Sequence, residues 1–587
     1  MLAFAAQINL TGADADPADA ARLAGALPRI DAPRSHMTLG AVAVAQLGHA
    51  QRYEPDDGLP LRSANGAVVV GALRIDARDA LSDALRAGGR RPAPNDTDAS
   101  LVLAAYQLWG DRLGEHLIGD YAIVVWDAQL RRLVCLRDPL GNRPLYWGQW
   151  GSVVALSTTP TGVRAAAPSR ATLDDAGLAE YLALGHMRDR ESTVWHGVRR
   201  VPPAHTVGWA DGAGADVRRH WDFPVPTPHH GRDDAALLEQ FRAVLGDAVR
   251  DRLRVRSASV ALSGGMDSTM LAATARTCAP AVALHALTVA YPRLAPSRDE
   301  VLAPLVAAQL GISHEVLEAD DLPPFAWLDA GDPYPPLPFS DSDLGLGREQ
   351  YRRLAAHGPV VLYGEDGDTL LQPASPLSQV RTHGALFVAR AWWRHWQTTG
   401  RRPWLGVAWR ARLARRRVER IPAWMRVAVP QRADAARPAH PTRALTVERL
   451  TAWPWEVLSA AIDPSTTLAD TLITLPLMDP RVIAFVFALP SVPWGENKTL
   501  FRRAMVGRLP SAVLERPKEP LAPIFDARVA QWRAQHPTVE LSSRVDAWVD
   551  RAAVTRALRD GSSEDVYAAW RVLALDRWLA AQEQGDA

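Results

Sequence analysis

The sequence predicts two domains, an α+β domain followed by an α/β domain. The chain has 587 residues, which is more than a single hydrophobic core usually supports. Short apolar runs rich in β-branched residues dominate the first part, up to about residue 215. From about residue 233 strand patterns alternate with helix patterns, and this alternation is typical of a parallel sheet with helices on both faces.

The elements of the first part are short. Three apolar runs, 67–70, 121–126 and 132–136, are predicted to be buried strands. Residues 97–109 have helical periodicity, and Asp96 or Thr97 could cap the helix. The region 224–231 contains three prolines and two adjacent histidines, so it is interpreted as a linker. The predicted boundaries are therefore 1–222 for the first domain, 223–232 for the linker and 233–587 for the second domain.

The second part contains longer and more regular elements. Helices are predicted at 235–252, 268–277 and 299–310, and strands at 257–262, 282–289 and 359–363. Beyond Leu370 the pattern is mainly helical. The segment 390–420 differs from the rest because it combines ten arginines with five tryptophans. It could be a peptide-handling surface, in which stacking and charge-assisted hydrogen bonds act together, or a packing element with a solvated face.

Composition excludes several classes of protein. The net charge of +1 gives no general attraction to nucleic acid, and no nucleic-acid motif accompanies the Trp/Arg-rich segment. The two cysteines, Cys135 and Cys278, offer no disulfide framework and no plausible zinc site. The N-terminal residues lack the pattern of a signal peptide, and apolar runs such as 482–489 are too short to span a bilayer. We expect a cytoplasmic protein with neither a membrane nor a nucleic-acid partner.

The sequence Ser-Gly-Gly-Met-Asp-Ser at 263–268 lies between a predicted strand and a predicted helix. Gly264 and Gly265 allow the backbone to turn sharply and to approach an anion closely, and the following helix directs its free N–H groups at the loop. Asp267 would repel phosphate, so its natural role is to bind Mg²⁺. The spacing differs from both the P-loop and the dinucleotide-binding fingerprint. A turn that uses glycine for its geometry alone is the alternative.

This loop resembles the signature of the N-type ATP pyrophosphatases, and the whole chain resembles the asparagine synthetase family. The resemblance implies an N-terminal Ntn-hydrolase-like (glutaminase-like) sandwich. It also implies a C-terminal ATP-pyrophosphatase domain, with a parallel sheet like that of the adenine nucleotide alpha hydrolases and a helical C-terminal part. The motifs that carry the resemblance, in chain order, are 95–98, 119–122, 126–127, 137–146, 263–268, 297–300, His314, 364–368, 509–510 and 516–518.

The resemblance also implies roles for individual residues. Glu365 and Lys518 match catalytic positions, and Asp267 and Asp368 match the magnesium-binding aspartates. Glu365 could instead bond loop amides, Asp368 could be a turn residue, and Lys518 could be a solvated surface lysine. Lys498 is interpreted as structural, and Thr369 replaces the usual glutamate of the family. The positions expected to contact ATP are Leu262, Ser263, Gly264, Gly265, Asp267, Ser268, Leu287, Val289 and Gly364.

The first domain lacks the nucleophile of the amidotransferases. These enzymes use an N-terminal cysteine to hydrolyse glutamine, whereas position 2 here is Leu2 and the first Cys, Ser or Thr is Thr11. The Asn-Gly motif of the family is also not recognisable; the nearest stretch is 70–73. We therefore expect a domain that has the glutaminase fold without its activity, and an amine that comes from another source.

Two groups of relatives that lack the cysteine are the β-lactam synthetases and the lasso peptide cyclases. The length of the chain and the Trp/Arg-rich segment favour the cyclases. In that case ATP and Mg²⁺ would activate an Asp or Glu side chain of a precursor core peptide, and its N-terminal amine would close a macrolactam ring. A leader peptidase and a precursor-recognition protein would be partners. A β-lactam-synthetase-type enzyme, an ammonia-dependent asparagine synthetase and a non-catalytic nucleotide- or peptide-binding scaffold remain alternatives.

Overall fold

The structure of the protein is a computed structural model. It describes residues 1–49, 58–210, 214–225, 227, 233–329, 333–372, 374–400, 421–430, 440–517 and 522–585.

Two antiparallel sheets form the N-terminal part of the described chain. The first sheet has the strand order β10-β8-β9-β1-β3-β2, and the second has the order β12-β11-β7-β6-β5-β4. The strands are β1 (Ala3–Asn9), β2 (Arg34–Leu39), β3 (Val42–Leu47), β4 (Leu61–Arg62), β5 (Val68–Asp76), β6 (Ile118–Asp127), β7 (Arg132–Arg137), β8 (Tyr146–Trp150), β9 (Val153–Ser157), β10 (Arg199–Arg200), β11 (His205–Ala210) and β12 (Asp216–Arg219).

Helices cover both outer faces of this sandwich. The inner faces of the two sheets meet in one apolar core, where Phe4 and Val44 of the first sheet pack with Val124 and Trp126 of the second. A separate core lies between the second sheet and two of the helices. The arrangement confirms the predicted sandwich. Its helices are α1 (Pro17–Gly25), α2 (Arg78–Ala87), α3 (Asp98–Trp109), α4 (Pro160–Ala165) and α5 (Asp175–Leu184), with a 3₁₀ turn at Gly110–Glu115.

The C-terminal part is built on a parallel sheet with the order β15-β14-β13-β16-β17. Its strands are β13 (Ser257–Ala261), β14 (Ala283–Ala290), β15 (Ser313–Glu318), β16 (Val360–Tyr363) and β17 (Leu472–Thr474). The chain moves to one side of β13 for β14 and β15 and to the other side for β16 and β17. A ligand is expected at such a switch point, in the crevice beyond the carboxyl ends of the strands.

Helices pack on both faces of this sheet and form most of the chain beyond Leu370. They are α6 (Asp234–Arg252), α7 (Met266–Cys278), α8 (Asp299–Leu310), α9 (Ala326–Asp329), α10 (Leu344–Ala355), α11 (Gly367–Leu370), α12 (Pro376–His383), α13 (Ala385–Thr399), α14 (Ala444–Leu450), α15 (Trp453–Ala461), α16 (Pro464–Thr467), α17 (Pro480–Phe487), α18 (Ser491–Trp494), α19 (Thr499–Ala504), α20 (Ser511–Leu514), α21 (Ala522–Gln535), α22 (Arg551–Asp560) and α23 (Ser563–Gly585). Short 3₁₀ turns occur at Pro476–Met478, Glu496–Lys498 and Ser543–Val545.

The predicted two-domain α/β and α+β fold is confirmed. Among the described helices, none combines the length and the apolar character that crossing a bilayer requires. Part of the predicted linker and residues 401–420 of the Trp/Arg-rich segment lie outside the described residues. The domain boundaries at 222 and 233 therefore stay predictions.

A buried ion-pair network joins the two parts. The guanidinium of Arg252, at the end of α6, lies 3.3 Å from Asp76 of the sandwich and 2.9 Å from Asp479. Arg254 pairs with Asp98 at 3.0 Å and donates to the carbonyl of Ile75 at 3.0 Å. Because buried charges are costly unless they are paired, this network favours one relative position of the sandwich and the parallel sheet.

Candidate functional site

Two loops meet at the switch point of the parallel sheet. Loop 263–268 follows β13 and loop 364–368 follows β16, and Ala261 and Tyr363 are register partners in these adjacent strands. A Cβ at position 364 would lie 2.7 Å from the amide nitrogen of Ser268, and a Cβ at position 367 would lie 2.6 Å from Cγ of Asp267. Gly364 and Gly367 are therefore required for the close approach of the two loops.

The hydroxyl groups of loop 263–268 hold the loop itself together. The amide of Ser263 donates to Oγ of Ser268 at 3.0 Å, and the amide of Gly265 donates to Oγ of Ser263 at 3.2 Å. Helix α7 then begins without a side-chain cap. Its first-turn N–H groups are thus directed into the crevice, where they and the helix dipole can bind an anion.

Two acidic side chains and a lysine converge in front of this helix. Nζ of Lys498 lies 2.7 Å from Asp267 and 3.3 Å from Asp368. Asp267 is 14% exposed and Asp368 49% exposed. Asn497 and Lys498 both have a positive φ, +48° and +56°, a strained conformation for non-glycine residues. The structure thus places Lys498, interpreted from sequence as structural, between the two predicted metal ligands.

The pair Asp267 and Asp368 fits a divalent cation. Both carboxylates already face one positive charge, the Lys498 ammonium, and carboxylate oxygens are the ligands that Mg²⁺ prefers. If bound there, Mg²⁺ would neutralise phosphate charge.

A second ion pair connects this region to loop 263–268. The amide of Gly264 donates to Oδ1 of Asp299 at 2.9 Å, and the same oxygen pairs with the guanidinium of Arg516. This ion pair places Arg516 beside loop 263–268. The predicted catalytic residue Lys518 lies outside the described residues. Asp299 and Arg516 lie in two of the motifs that carry the resemblance, 297–300 and 516–518, but neither was assigned a role in the site.

Glu365 lies in the loop after β16, in a half-buried position. Burial raises the pKa of this carboxyl group above its usual range, and the charge of the adjacent Asp366 raises it further. Interaction with the Tyr363 hydroxyl acts in the opposite direction, because a donor stabilises the carboxylate form. A carboxylate with a raised pKa at the edge of an anion-binding crevice is suited to accept a proton from an amine.

Thr369, which replaces a glutamate of the family pattern, has a local partner. Its hydroxyl donates to Oδ1 of Asp366 at 2.7 Å, and Asp366 has a positive φ of +62°. This bond supports the turn that carries Glu365 and Asp368. Thr369 is itself buried, so its described role is to stabilise the loop.

The predicted adenine-contacting positions lie at the end of β14. The amide of Leu262 donates to the carbonyl of Leu287 at 2.9 Å, and Leu287 is fully buried. The carbonyl of Leu287 is therefore engaged within the sheet. Val289 is half-buried, one residue before the strand ends at Ala290.

The N-terminal sandwich offers no accessible thiol among its described residues. Leu2 is fully buried at the start of β1, where its amide donates to the carbonyl of Leu47 at 2.8 Å. Cys135 is buried in the core between the two sheets, and burial raises the pKa of its thiol well above the usual range. A thiol in this state is inert.

A cavity that is partly open to solvent lies where the sandwich meets the C-terminal part. Its volume is about 140 Å³. The charged side chains that line it are mainly cationic. The described lining includes one carboxylate, Glu456, and four arginines, Arg137, Arg188, Arg190 and Arg200. Glu456 pairs with Arg137 at 3.4 Å.

Each of the two parts of the chain matches a known protein family. The family model described as asparagine synthase matches residues 240–580, and the model described as glutamine amidotransferase domain matches residues 63–221. A putative glutamine-hydrolysing asparagine synthetase of Mycobacterium tuberculosis is 27% identical over 85% of this chain and 82% of its own length. Glutamine-hydrolysing asparagine synthetase 3 of Bacillus subtilis is 29% identical over 32% of this chain and 31% of its own length.

Among solved structures, glutamine phosphoribosylpyrophosphate amidotransferase from B. subtilis is similar with a TM-score of 0.27. The identity is 13%, and the match covers 63% of this chain and 83% of that chain.

Proposed function

The chain belongs to the asparagine synthase family, whose members are ATP-dependent carbon–nitrogen ligases, and we propose that it acts as a lasso peptide cyclase. In this proposal a side-chain carboxylate of a core peptide is adenylated, and the N-terminal amine of the same peptide closes a macrolactam ring. The observation that supports it most is the contrast between the two parts. The residues predicted to bind ATP and Mg²⁺ that the structure describes, among them Asp267 and Asp368, meet in one crevice, whereas the glutaminase-like sandwich offers no accessible thiol in its described residues.

The first step would be formation of an acyl-adenylate. An oxygen of the Asp or Glu carboxylate attacks the α-phosphorus of ATP, and pyrophosphate leaves. The amides at the start of α7 bind phosphate oxygens, and Lys498, held at 2.7 Å from Asp267, supplies positive charge at the same place. Such fixed charges stabilise the negative charge on the departing group without reorganisation during the reaction.

The second step would be attack by the amine. The neutral N-terminal amine of the peptide attacks the acyl carbon, the new C–N bond forms, and the bond to AMP breaks. Glu365 accepts the proton that the nitrogen loses, for which its raised pKa is suited. Lys518 is proposed to stabilise the tetrahedral intermediate.

The cavity between the two parts is a proposed entrance for the peptide. Its arginines would attract the carboxylate of an acidic residue. The helix α14 lies close to both sites. Burial raises the pKa of Asp366, and the charge of Arg449 on this helix opposes that rise, while Ala452, two residues after the helix, lines the cavity. We also propose a leader peptidase and a precursor-recognition protein as partners.

The test is a reaction of the purified protein with ATP, Mg²⁺ and synthetic core peptides taken from short open reading frames beside its gene. We expect a product that has lost one water, together with AMP and pyrophosphate in equal amounts. The same peptide acetylated at its N-terminus is the matched control and should yield no ring. ADP and phosphate as products would contradict the proposal, as would formation of the ring without ATP.

An ammonia-dependent asparagine synthetase is the second candidate, because a relative that matches 85% of the chain is named a putative asparagine synthetase. The same assay separates the two. Conversion of free aspartate and ammonium to asparagine, with no reaction of the peptide, would establish this alternative.

Glutamine hydrolysis provides an independent prediction. We expect no release of glutamate from glutamine above the rate without protein, with or without ATP and peptide, because Cys135 is buried and its thiol is protonated. The measurement is an enzyme-coupled glutamate assay. Sustained glutamate release that co-purifies with the protein would contradict this prediction and would supply an ammonia source for the second candidate.

A further inference from the structure

Three potential metal ligands lie together on the sheet face that α10 covers, towards the amino end of the strands. They are His285 on β14, Glu315 on β15 and His357 just after α10, and one ligand atom from each lies within 4.8 Å of the others. The imidazole rings of His285 and His357 are stacked, with centroids 3.5 Å apart. Loops 263–268 and 364–368 lie at the opposite edge of this sheet, after the carboxyl ends of β13 and β16.

The hydrogen bonds of His285 determine which ring nitrogen carries the proton. Nδ1 of His285 lies 3.0 Å from Oγ of Ser313, and that hydroxyl donates its own proton to the carbonyl of Leu284 at 3.4 Å. Oγ of Ser313 therefore accepts from Nδ1–H of His285. In the neutral ring, Nε2 is then the atom that carries the lone pair.

This lone pair is buried and faces a carboxylate. Nε2 of His285 has no hydrogen-bond partner in the described part of the chain, although the residue is only 7% exposed. Oε2 of Glu315 lies 3.8 Å away. Two acceptor atoms that face each other at this distance need a cation or a proton between them, since a buried polar group without a partner is costly.

Glu315 is already engaged through its other oxygen, because Oε1 accepts from Arg353 at 2.6 Å. Arg353 thus fixes the carboxylate with Oε2 directed towards His285.

We propose that His285, Glu315 and His357 bind a divalent transition-metal ion, for which Zn²⁺ is the best fit. Two imidazoles and one carboxylate are a common ligand set for Zn²⁺, with a water as the fourth ligand. Ser313 completes the site by holding the His285 ring in the metal-binding tautomer, as outer partners of ligating histidines usually do. Its three ligands come from separate elements of the fold, so no local spacing in the sequence indicates this site.

Binding requires only a small movement. Bonds of about 2.0–2.2 Å place tetrahedral ligand atoms roughly 3.3 Å apart, compared with the observed limit of 4.8 Å. His357 is exposed, so its ring can turn out of the stack to direct a nitrogen at the ion. The ion would link the end of α10 to β14 and β15, and α10 also carries Tyr351, which adjoins Tyr363.

The test uses the full-length protein, freed of metal with a chelator and titrated with Co²⁺. We expect one equivalent of Co²⁺ to give the visible absorption of a tetrahedral nitrogen-ligated ion, and Zn²⁺ to displace it and raise Tm. His357→Gln changes an exposed ligand, so it should fold normally and lower the affinity for Co²⁺ by more than about 100-fold. Glu315→Gln should have a similar effect on affinity.

Two controls make the result specific. His314→Ala should keep the absorption, because the His314 ring bonds to Thr288 at 2.8 Å and is not one of the ligands. Asp267→Asn should also keep it, which separates this site from the carboxylate pair at the ATP site. No tetrahedral spectrum in the wild type, or one that His357→Gln leaves unchanged, would overturn the proposal and assign the space beside Nε2 to a water molecule.

Discussion

Asp267→Asn is expected to lower ATP–pyrophosphate exchange by more than about 10²-fold, the size of effect seen when one fixed electrostatic contact is removed from a reaction centre. The change leaves the size of the side chain almost unaltered and removes its charge. One of the two carboxylates proposed to hold Mg²⁺ is lost, and Lys498 keeps only Asp368 at 3.3 Å as a described acidic partner. Exchange of radiolabelled pyrophosphate into ATP in the presence of the core peptide is the measurement.

Asp247→Asn is the matched control for this experiment. Asp247 lies on the exposed face of α6, where it pairs with Arg250 one helical turn away, and such surface pairs contribute little to stability. We expect wild-type exchange and Tm from it. Exchange at the wild-type rate in Asp267→Asn, in a protein whose Tm is also unchanged, would show that this carboxylate does not serve nucleotide activation.

The parts of the site that follow a buried strand could be predicted from sequence. Loops 263–268 and 364–368 both come directly after apolar runs, and glycines allow each loop to turn at the carboxyl edge of the sheet. The strand bounds at 257–261, 283–290 and 360–363 agree with the prediction within one residue. Thr97 also caps α3 as expected, because its hydroxyl accepts from the amide of Ser100 at 3.1 Å.

Contacts between distant segments could not be predicted in this way. Lys498 lies 231 residues from Asp267 in sequence, and its own turn has left-handed φ values that no periodic pattern indicates. Asp299 has the position of an ordinary acidic residue in the first turn of α8. Its contacts with Gly264 and Arg516 exist only because loop 263–268 and the segment before Lys518 fold onto that helix end.

Strands without an apolar run were also missed. β2 and β15 are mostly polar, and most of their residues are exposed or half-buried, so neither has the hydrophobic pattern of a core strand. β17 has only three residues. One edge strand of the first sheet, β2, and both edges of the parallel sheet therefore became visible only through their pairing partners.

Glu365→Gln is expected to separate the two chemical steps. Exchange of pyrophosphate into ATP should persist, because Glu365 has no part in leaving-group departure, whereas ring closure should fall by about 10²- to 10⁴-fold, the usual contribution of a general base. Single-turnover formation of the ring, followed by mass spectrometry, measures the second step. Glu239→Gln, on an exposed position of α6 where the carboxylate pairs with Arg242, is the matched control.

Loss of exchange and ring closure by the same factor in Glu365→Gln would contradict this role, since the residue would then act before the amine attacks. Ring closure at the wild-type rate in Glu365→Gln would contradict this role as well. The expected pattern requires that the adenylate accumulate, so AMP bound to peptide should be detectable in the variant and not in the wild type.

The pH dependence of ring closure tests the environment of Glu365. A base must be deprotonated, so the rate of ring closure should rise with pH until the pH passes the raised pKa of this carboxyl group. The rate should then level off. The peptide amine must also be neutral, and its usual pKa of about 7.7–8.0 would add a second rise in the rate where its protonation is limiting. Tyr363→Phe removes a group that lowers the pKa of Glu365. The pKa should rise further, and the acidic limb should move to higher pH.

The comparison between wild type and Tyr363→Phe isolates Glu365, because the amine and its pKa are the same in both reactions. Tyr363 is half-buried beside Tyr351, so Tm and pyrophosphate exchange must be measured to establish that the variant folds and forms the adenylate. If both are retained and the acidic limb stays in place or moves to lower pH, the proton acceptor in ring closure is a group other than Glu365.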